Sequence, residues 1–275
     1  MNSYIPFFSI VIVNYNHGMY LDESIQSILT QSCHDFELIV IDGKSTDNSV
    51  EIIKKHESKL AFWVSEPDKG QSDAFNKGFS KAMGKYYFWL NADDILLPDS
   101  LQKAKDYFLS HFDCTWLIGN SVFFDKNSYI LWCTKGVRFF KWLKNKSYVS
   151  VNGPTSFFKN TLFIESKGFD LSLHYTMDID LWMKFKENGH YYQKLNHYCW
   201  GFRVHEESKT SHAFNNKANT NFTTEQELLC QRHKYEYKFW AIKFVILFKL
   251  VSGSFIQSYF DTLRFKGKKA NYVFK

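Results

Sequence analysis

No two cysteines in this 275-residue chain are spaced C-x-x-C; the five present, Cys33, Cys114, Cys133, Cys199 and Cys230, are scattered and odd in number. That pattern excludes a disulfide framework or zinc knuckle and points to a reducing, cytoplasmic compartment. Long apolar runs are also lacking. The uninterrupted run in the aromatic C-terminal segment, Phe244 to Phe248, is far below the ~20 residues needed to cross a bilayer. The N-terminus has no charged n-region and no long h-region, so Phe7 to Val13 reads as a first strand rather than a signal peptide. No G-x-G-x-x-G follows that strand, where Asn14-Tyr15-Asn16-His17-Gly18 stands instead, and no Walker A sequence occurs. Without such an amide cradle, a bound pyrophosphate needs a cation to neutralise it. Reader motifs for nucleic acid are missing as well, and nucleic acid is not expected as a partner.

What is present is organised around Lys85 to Pro98, KYYFWLNADDILLP. Its aromatic run reads as a strand buried on both faces, and it stops at Asn91-Ala92-Asp93-Asp94. Two adjacent acids at the carboxyl end of a central strand suit a hard cation, the alternative being a cap for the helix that follows. Upstream, strand-like runs (Phe8–Val13, Phe36–Ile41, Ala61–Ser65) alternate with helical spacing at Leu21 to Leu29, Ser49 to His56 and Ser72 to Met83. This alternation requires parallel pairing by right-handed crossovers, with Asp42, Asp68, Asp93 and Asp94 gathered at one sheet edge. Hydrophobic content of 45% supplies ample core, and the aromatic share of 19% suits either ring-binding grooves or bulky packing.

The blocks FSIVIVNYN, VIDGKSTDNS and SEPDKGQSDAFNKGFSKAMGKYYFWLNADD, followed by NGPTSFFKNTLFIESKGFD, YTMDIDLWMKF and FRVHEESKTS, resemble in order those of the family 2 glycosyltransferases with the GT-A fold, of the kind that builds bacterial cell-surface polysaccharides. The resemblance implies an α/β protein with a Rossmann-like, mostly parallel central sheet flanked by helices, plus a C-terminal helical extension. It implies a donor-binding half over 1–98, an acceptor and catalytic-base half over 99–222 and a basic aromatic tail over 223–275. Val13, Tyr15 and Asp42 would hold the nucleotide, Tyr15 by stacking on the base and Asp42 by accepting its N–H groups. Asn91, Asp93 and Asp94 correspond to the metal motif, with Asn91 standing where an Asp is frequent. Mn²⁺ or Mg²⁺ would be held by Asp93 and Asp94, which of them directly being left open, and completed by His205. Gly70, Asp73 and Asn76 match donor-sugar or phosphate elements, a solvated helix face being the alternative. Arg203 would grip the diphosphate in a bidentate fashion.

By the same resemblance the general base is Asp178, with Asp180 as runner-up or as a first-turn acid favoured by the helix dipole. The activity implied is metal-dependent, inverting transfer of a hexosyl group from a nucleotide-diphosphate sugar, UDP favoured, to a hydroxyl of a glycan or lipid-linked glycan. A catalytically inactive GT-A-like scaffold is the competing expectation. Interleaved Lys/Arg and aromatic residues over 228–275, including Tyr235, Tyr237 and Lys238, suit peripheral docking on an anionic membrane at the cytoplasmic face. A packed helical cap or a homodimer interface is the alternative for that segment.

Overall fold

The computed structural model describes residues 4–137, 139, 153–206, 208, 220–234 and 239–274. In chain order the first half runs β1 (Phe8–Asn14), α1 (Gly18–Leu29), β2 (Phe36–Asp42), α2 (Ser49–His56), β3 (Phe62–Ser65), α3 (Gln71–Phe79) and β4 (Tyr86–Asn91). β1 is buried along its whole length because it lies between β2 and β4, parallel to both, while β3 extends the sheet beyond β2. Its side chains alternate between two cores, as a period of two requires. Val11 and Val13 face one with Phe75 and Phe79 of α3; Phe8, Ile10 and Ile12 face the other with Leu21 and Ile25 of α1. Register then sets the functional edge: Asn14 pairs with Asp42, Asp42 with Ser65, and Val13 with Asn91, so the strands end in one row.

The second half continues the sheet through β5 (Ile95–Leu96), α4 (Ser100–Ser110), β6 (Trp116–Asp125), β7 (Ile130–Thr134), β8 (Ser156–Lys159), α5 (Asn160–Glu165), α6 (Met177–Glu187) and β9 (Gln193–Val204). The strand order is β3-β2-β1-β4-β8-β6-β9-β5, with β7 on β6. β8 is antiparallel to both β4 and β6. Two departures from the sequence reading follow from this pairing. Ile95 and Leu96, which pattern alone left in the run before a helix, become a strand because Gly201 and Trp200 of β9 offer them a partner. α6 begins at Met177 rather than near Leu181, which places Asp178 and Asp180 in its first turn.

α7 (Thr220–Arg232) braces α6. The Glu225 carboxylate accepts the backbone N–H groups of His174 and Tyr175, each at 2.9 Å, and that of Thr176 at 3.0 Å, fixing the turn into α6. Asp180, fully buried, meets Lys184 at 2.7 Å and Arg232 and His233 at 2.9 Å each. Burial alone would raise its pKa, but hydrogen bonds from His233, Lys184 and Arg232 outweigh it and hold the carboxyl at about 2. The tail continues as α8 (Phe239–Val251), α9 (Ser254–Phe265) and α10 (Ala270–Val273); Tyr235, Tyr237 and Lys238 lie outside the described residues.

Because Asp180 is a depressed acid, its contribution is present above the unfolded carboxylate pKa and is lost as pH falls toward about 2. Asp180→Asn leaves three cations facing a neutral amide and is expected to cost about 3 kcal/mol at pH 7. Urea unfolding of parent and variant should show that difference shrinking as pH drops below 4, toward about 2.

Candidate active site

The edge where β1, β2 and β3 end forms a tight polar floor. Asp42 is fully buried and accepts hydrogen bonds from Asn14 Nδ2 at 2.7 Å, Ser45 N at 2.9 Å and Ser65 Oγ at 2.6 Å. Asn16 adopts a left-handed φ of 55°, and its side chain accepts the Thr46 N–H at 2.8 Å, tying the loop after β1 to the loop after β2. Beside this floor Tyr15 is 62% exposed. Gly43 lies between it and Asp68; a Cβ there would stand 2.6 Å from Asp68 Oδ2 and 3.3 Å from Tyr15 Cδ2, so a side chain at 43 would push the Asp68 carboxylate aside. Val13 is buried, and its carbonyl accepts the Ala92 N–H at 3.1 Å.

The acids after β4 are divided by their surroundings. Asp94 is fully buried with both oxygens engaged, Oδ1 by Arg203 N at 3.0 Å and Oδ2 by Asn91 Nδ2 at 3.1 Å. Burial and the neighbouring Asp93 charge push its carboxyl well above the ordinary range. Asp93 is the one that turns toward ligating partners: its Oδ2 lies 3.0 Å from His205 Nε2, and the ligand atoms of Asp93, His205 and His17 all fall within 4.8 Å of one another. A carboxylate and two imidazoles at that spacing fit a divalent cation. Of the two acids between which direct ligation was left open, Asp93 is the one that faces His205 and His17, while Asp94 fastens the loop. The sequence reading missed His17, since a single histidine in a polar turn shows no ligand spacing until the fold brings it to His205.

Arg203 does not reach into a cleft. It is 1% exposed, with its guanidinium 4.6 Å from the ring centroids of both Tyr20 and Phe124. Nε donates to the Asp93 carbonyl at 2.9 Å, Nη1 to Ser128 Oγ at 3.0 Å and Nη2 to Glu23 at 2.5 Å. With its fork already occupied, the expected grip on a diphosphate is replaced by a brace beneath the Asp93 loop. Asn76 is similarly committed, bonding Phe169 N at 2.9 Å and Phe169 O at 2.8 Å, so it clasps a loop rather than offering itself to a donor sugar. Asp73 accepts the Lys69 N–H at 3.0 Å and sits 3.7 Å from Lys77, while Gly70, at a φ of 106°, caps α3 with its N–H on Asp68. The first turn of α3 nonetheless links the site. Gln71, also unrecognised from sequence, donates to Asn91 Oδ1 at 2.7 Å, and the adjacent Ser72 reaches Met177 at 3.0 Å.

That link carries the loop after β4 to the start of α6. Asp178 accepts its neighbour Ile179's N–H at 2.9 Å and packs beside Gly153 and Trp89, where a Cβ on Gly153 would lie 3.0 Å from Oδ2. Burial raises its pKa to about 6, against the lowering effect of backbone hydrogen bonds. Asp180, one position away from Ile179, points into the Lys184, Arg232 and His233 cluster and is ionised and engaged. The two acids of this turn thus differ: Asp180 is committed to ion pairs, and Asp178 is raised toward the range a general base needs.

Comparison with known proteins gives this geometry a family. The profile of Glycosyl transferase family 2 matches residues 9–165. An uncharacterized glycosyltransferase of Methanocaldococcus jannaschii is 31% identical over 208 residues, covering 72% of this chain and 71% of that protein. Another, from Rickettsia prowazekii, is 31% identical over 67% of this chain, which spans only 60% of that relative's length. Among solved structures, S. aureus TarS 1-349 in complex with UDP-GlcNAc aligns with a TM-score of 0.58 at 20% identity, over 74% of this chain and 60% of that one. The mannosyltransferase PcManGT from Pyrobaculum calidifontis, in complex with GDP-Man and Mn²⁺, aligns at 0.56 and 17% identity, over 77% and 60%. The fold is that of the GT-A glycosyltransferases, and the chain belongs to glycosyl transferase family 2.

Proposed function

We propose that this glycosyltransferase moves a hexosyl group, with inversion, from a nucleotide-diphosphate sugar to a hydroxyl of a glycan or lipid-linked glycan at the cytoplasmic face of a membrane. Residues 1–98 would bind the donor, 99–222 the acceptor, and 223–275 would dock the enzyme. The observation that carries the reading is Asp178, raised to about 6 by burial and joined through Gln71 and Ser72 to the loop bearing Asp93. The expected UDP finds support in TarS, which shares the fold and was solved with UDP and with UDP-GlcNAc, while PcManGT, of the same fold, was solved with GDP-Man. The exposed Tyr15 would stack on the base beside Gly43 and Asp68, and the Asp42 floor would fix the loops beneath it. Five free cysteines agree with a reducing compartment.

In the reaction Asp178 takes the proton of the acceptor hydroxyl as that oxygen attacks the anomeric carbon; the bond to the diphosphate oxygen breaks, and the nucleoside diphosphate departs on the opposite face. Asp93 and His205, with His17, would hold the divalent cation, which when bound supplies positive charge against the diphosphate. Two imidazoles beside one carboxylate favour Mn²⁺ over Mg²⁺, whose ligands are chiefly oxygens. Arg203 and Asp94 keep the Asp93 loop rigid.

With a base raised to about 6, kcat/KM should climb with unit slope as pH rises through that value and level above it. Asp178→Asn is expected to lower kcat/KM ~1,000-fold. Because the ionised form is the one burial disfavours, the same change should not lower the melting temperature at pH 8. A variant as active as the parent overturns the assignment.

EDTA should abolish transfer and Mn²⁺ restore it. Asp93→Asn should raise the Mn²⁺ concentration for half-maximal activity by at least ~10-fold, a loss that even changes outside the ligand shell can produce. Full turnover in EDTA would reject metal dependence.

A further inference from the structure

α9 is an amphipathic helix attached by its polar side. Thr262 Oγ1 accepts the Cys133 N–H at 2.9 Å, Ser258 Oγ accepts the Lys135 N–H at 3.1 Å, and Asp261 takes the Tyr198 hydroxyl at 2.6 Å and Lys135 Nζ at 3.1 Å. The opposite side bears Phe255, Ile256, Tyr259, Phe260 and Leu263, each at least 50% exposed. Leu247 and Val251 of α8, which packs on α9, are exposed too. A soluble helix normally turns its apolar stripe inward; this one does the reverse, so its outer face calls for an apolar medium.

Charge decides which medium. From Phe239 to Lys275 the sequence has seven Lys or Arg and one acid, Asp261, and that acid faces inward on Tyr198 and Lys135. Where α9 ends, Tyr129, Arg264, Phe265, Lys268, Lys269 and Val273 line a cavity of about 580 Å³. Lys269 lies over the Tyr129 ring and Arg264 over the Phe265 ring, at 5.6 and 5.3 Å, which keeps both cations at the cavity wall. A second copy seated on this face by two-fold symmetry would bring the same cations together and be repelled. An anionic bilayer satisfies both the apolar stripe and the charge.

We propose that α9 lies in the interface of an anionic membrane, with its Phe255–Leu263 face among the acyl chains and a lipid phosphate in the Arg264–Lys268–Lys269 cavity. The proposal carries the membrane reading above down to a defined site. It also gives that site a link to the candidate active site: Ala270 N donates to the Ser128 carbonyl at 2.9 Å, and Ser128 Oγ is the group that receives Arg203 Nη1.

The full chain should co-sediment with phosphatidylcholine vesicles containing phosphatidylglycerol and not with phosphatidylcholine alone. Arg264→Glu/Lys268→Glu should weaken that binding ~100-fold, and Phe255→Ser/Phe260→Ser at least ~10-fold. Both variants should keep the parent's thermal shift with UDP, which shows them folded. Vesicle binding unchanged in either variant, or equal binding to neutral vesicles, overturns the proposal. So does calorimetric binding of inorganic phosphate without vesicle binding, or a dimer that Phe255→Ser/Phe260→Ser dissociates while vesicles are ignored. A parent chain that binds anionic vesicles but gives no shift with UDP counts against the donor reading and leaves the docking site standing.

Discussion

A guanidinium sealed from water ties together four separated parts of this chain. Arg203 sits at the end of β9, yet its donors reach the loop after β4, the turn between β6 and β7 and Glu23 on α1, while its faces lie against Tyr20 and Phe124. A buried cation is tolerable only when nearly every donor is met, and here removing any one acceptor would leave charge stranded in a low-dielectric interior. The cost of such stranding is what makes the geometry stiff. Asp93 and Asp94 inherit that stiffness, one through its carbonyl and the other through the Arg203 amide.

Four aspartates near the functional edge show how one residue type is divided by environment. Asp94 is buried without a neutralising cation on its side chain and is pushed upward; Asp180 is buried among three cations and is held at about 2. Asp178 has burial and backbone amides but no ion pair among the described residues, and lies at about 6, and Asp93 meets an imidazole. Of the four, the latter two are the ones the proposed reaction uses. The others spend their charge or their hydrogen bonds on keeping the loop after β4 and the first turn of α6 in place.

The legible part of the chain was the part whose signals are local. β1, β2 and β4 are short apolar runs ended by polar turns, so their burial and parallel order, and with them the edge that gathers Asp42 and Asp93, could be read from pattern. Asp178 and His205 were singled out through the order of sequence blocks, not by any local pattern. What pattern could not reveal was direction. Whether Arg203 grips phosphate or protein depends on Glu23, 180 positions earlier, and whether Asn76 faces a sugar or a loop depends on Phe169. Glu225 and His17 were missed for the same reason, their partners lying 51 residues away in one case and just past the ends of β4 and β9 in the other. β9 escaped because its twelve residues mix polar and aromatic positions without a clean period, its pairing with β6 and β5 supplying what the local signal lacks.

Trp182, on the same helix as Asp178, lies between Trp89 of β4 and Trp116 of β6, with centroids 5.2 and 4.9 Å apart and planes inclined by 13° and 22°. Three indoles in a near-parallel column share their electronic transitions, so their near-ultraviolet dichroism and emission depend steeply on spacing. The helix that carries Asp178 therefore comes with its own optical gauge, one that needs no added label and would register a slip of α6 against the sheet.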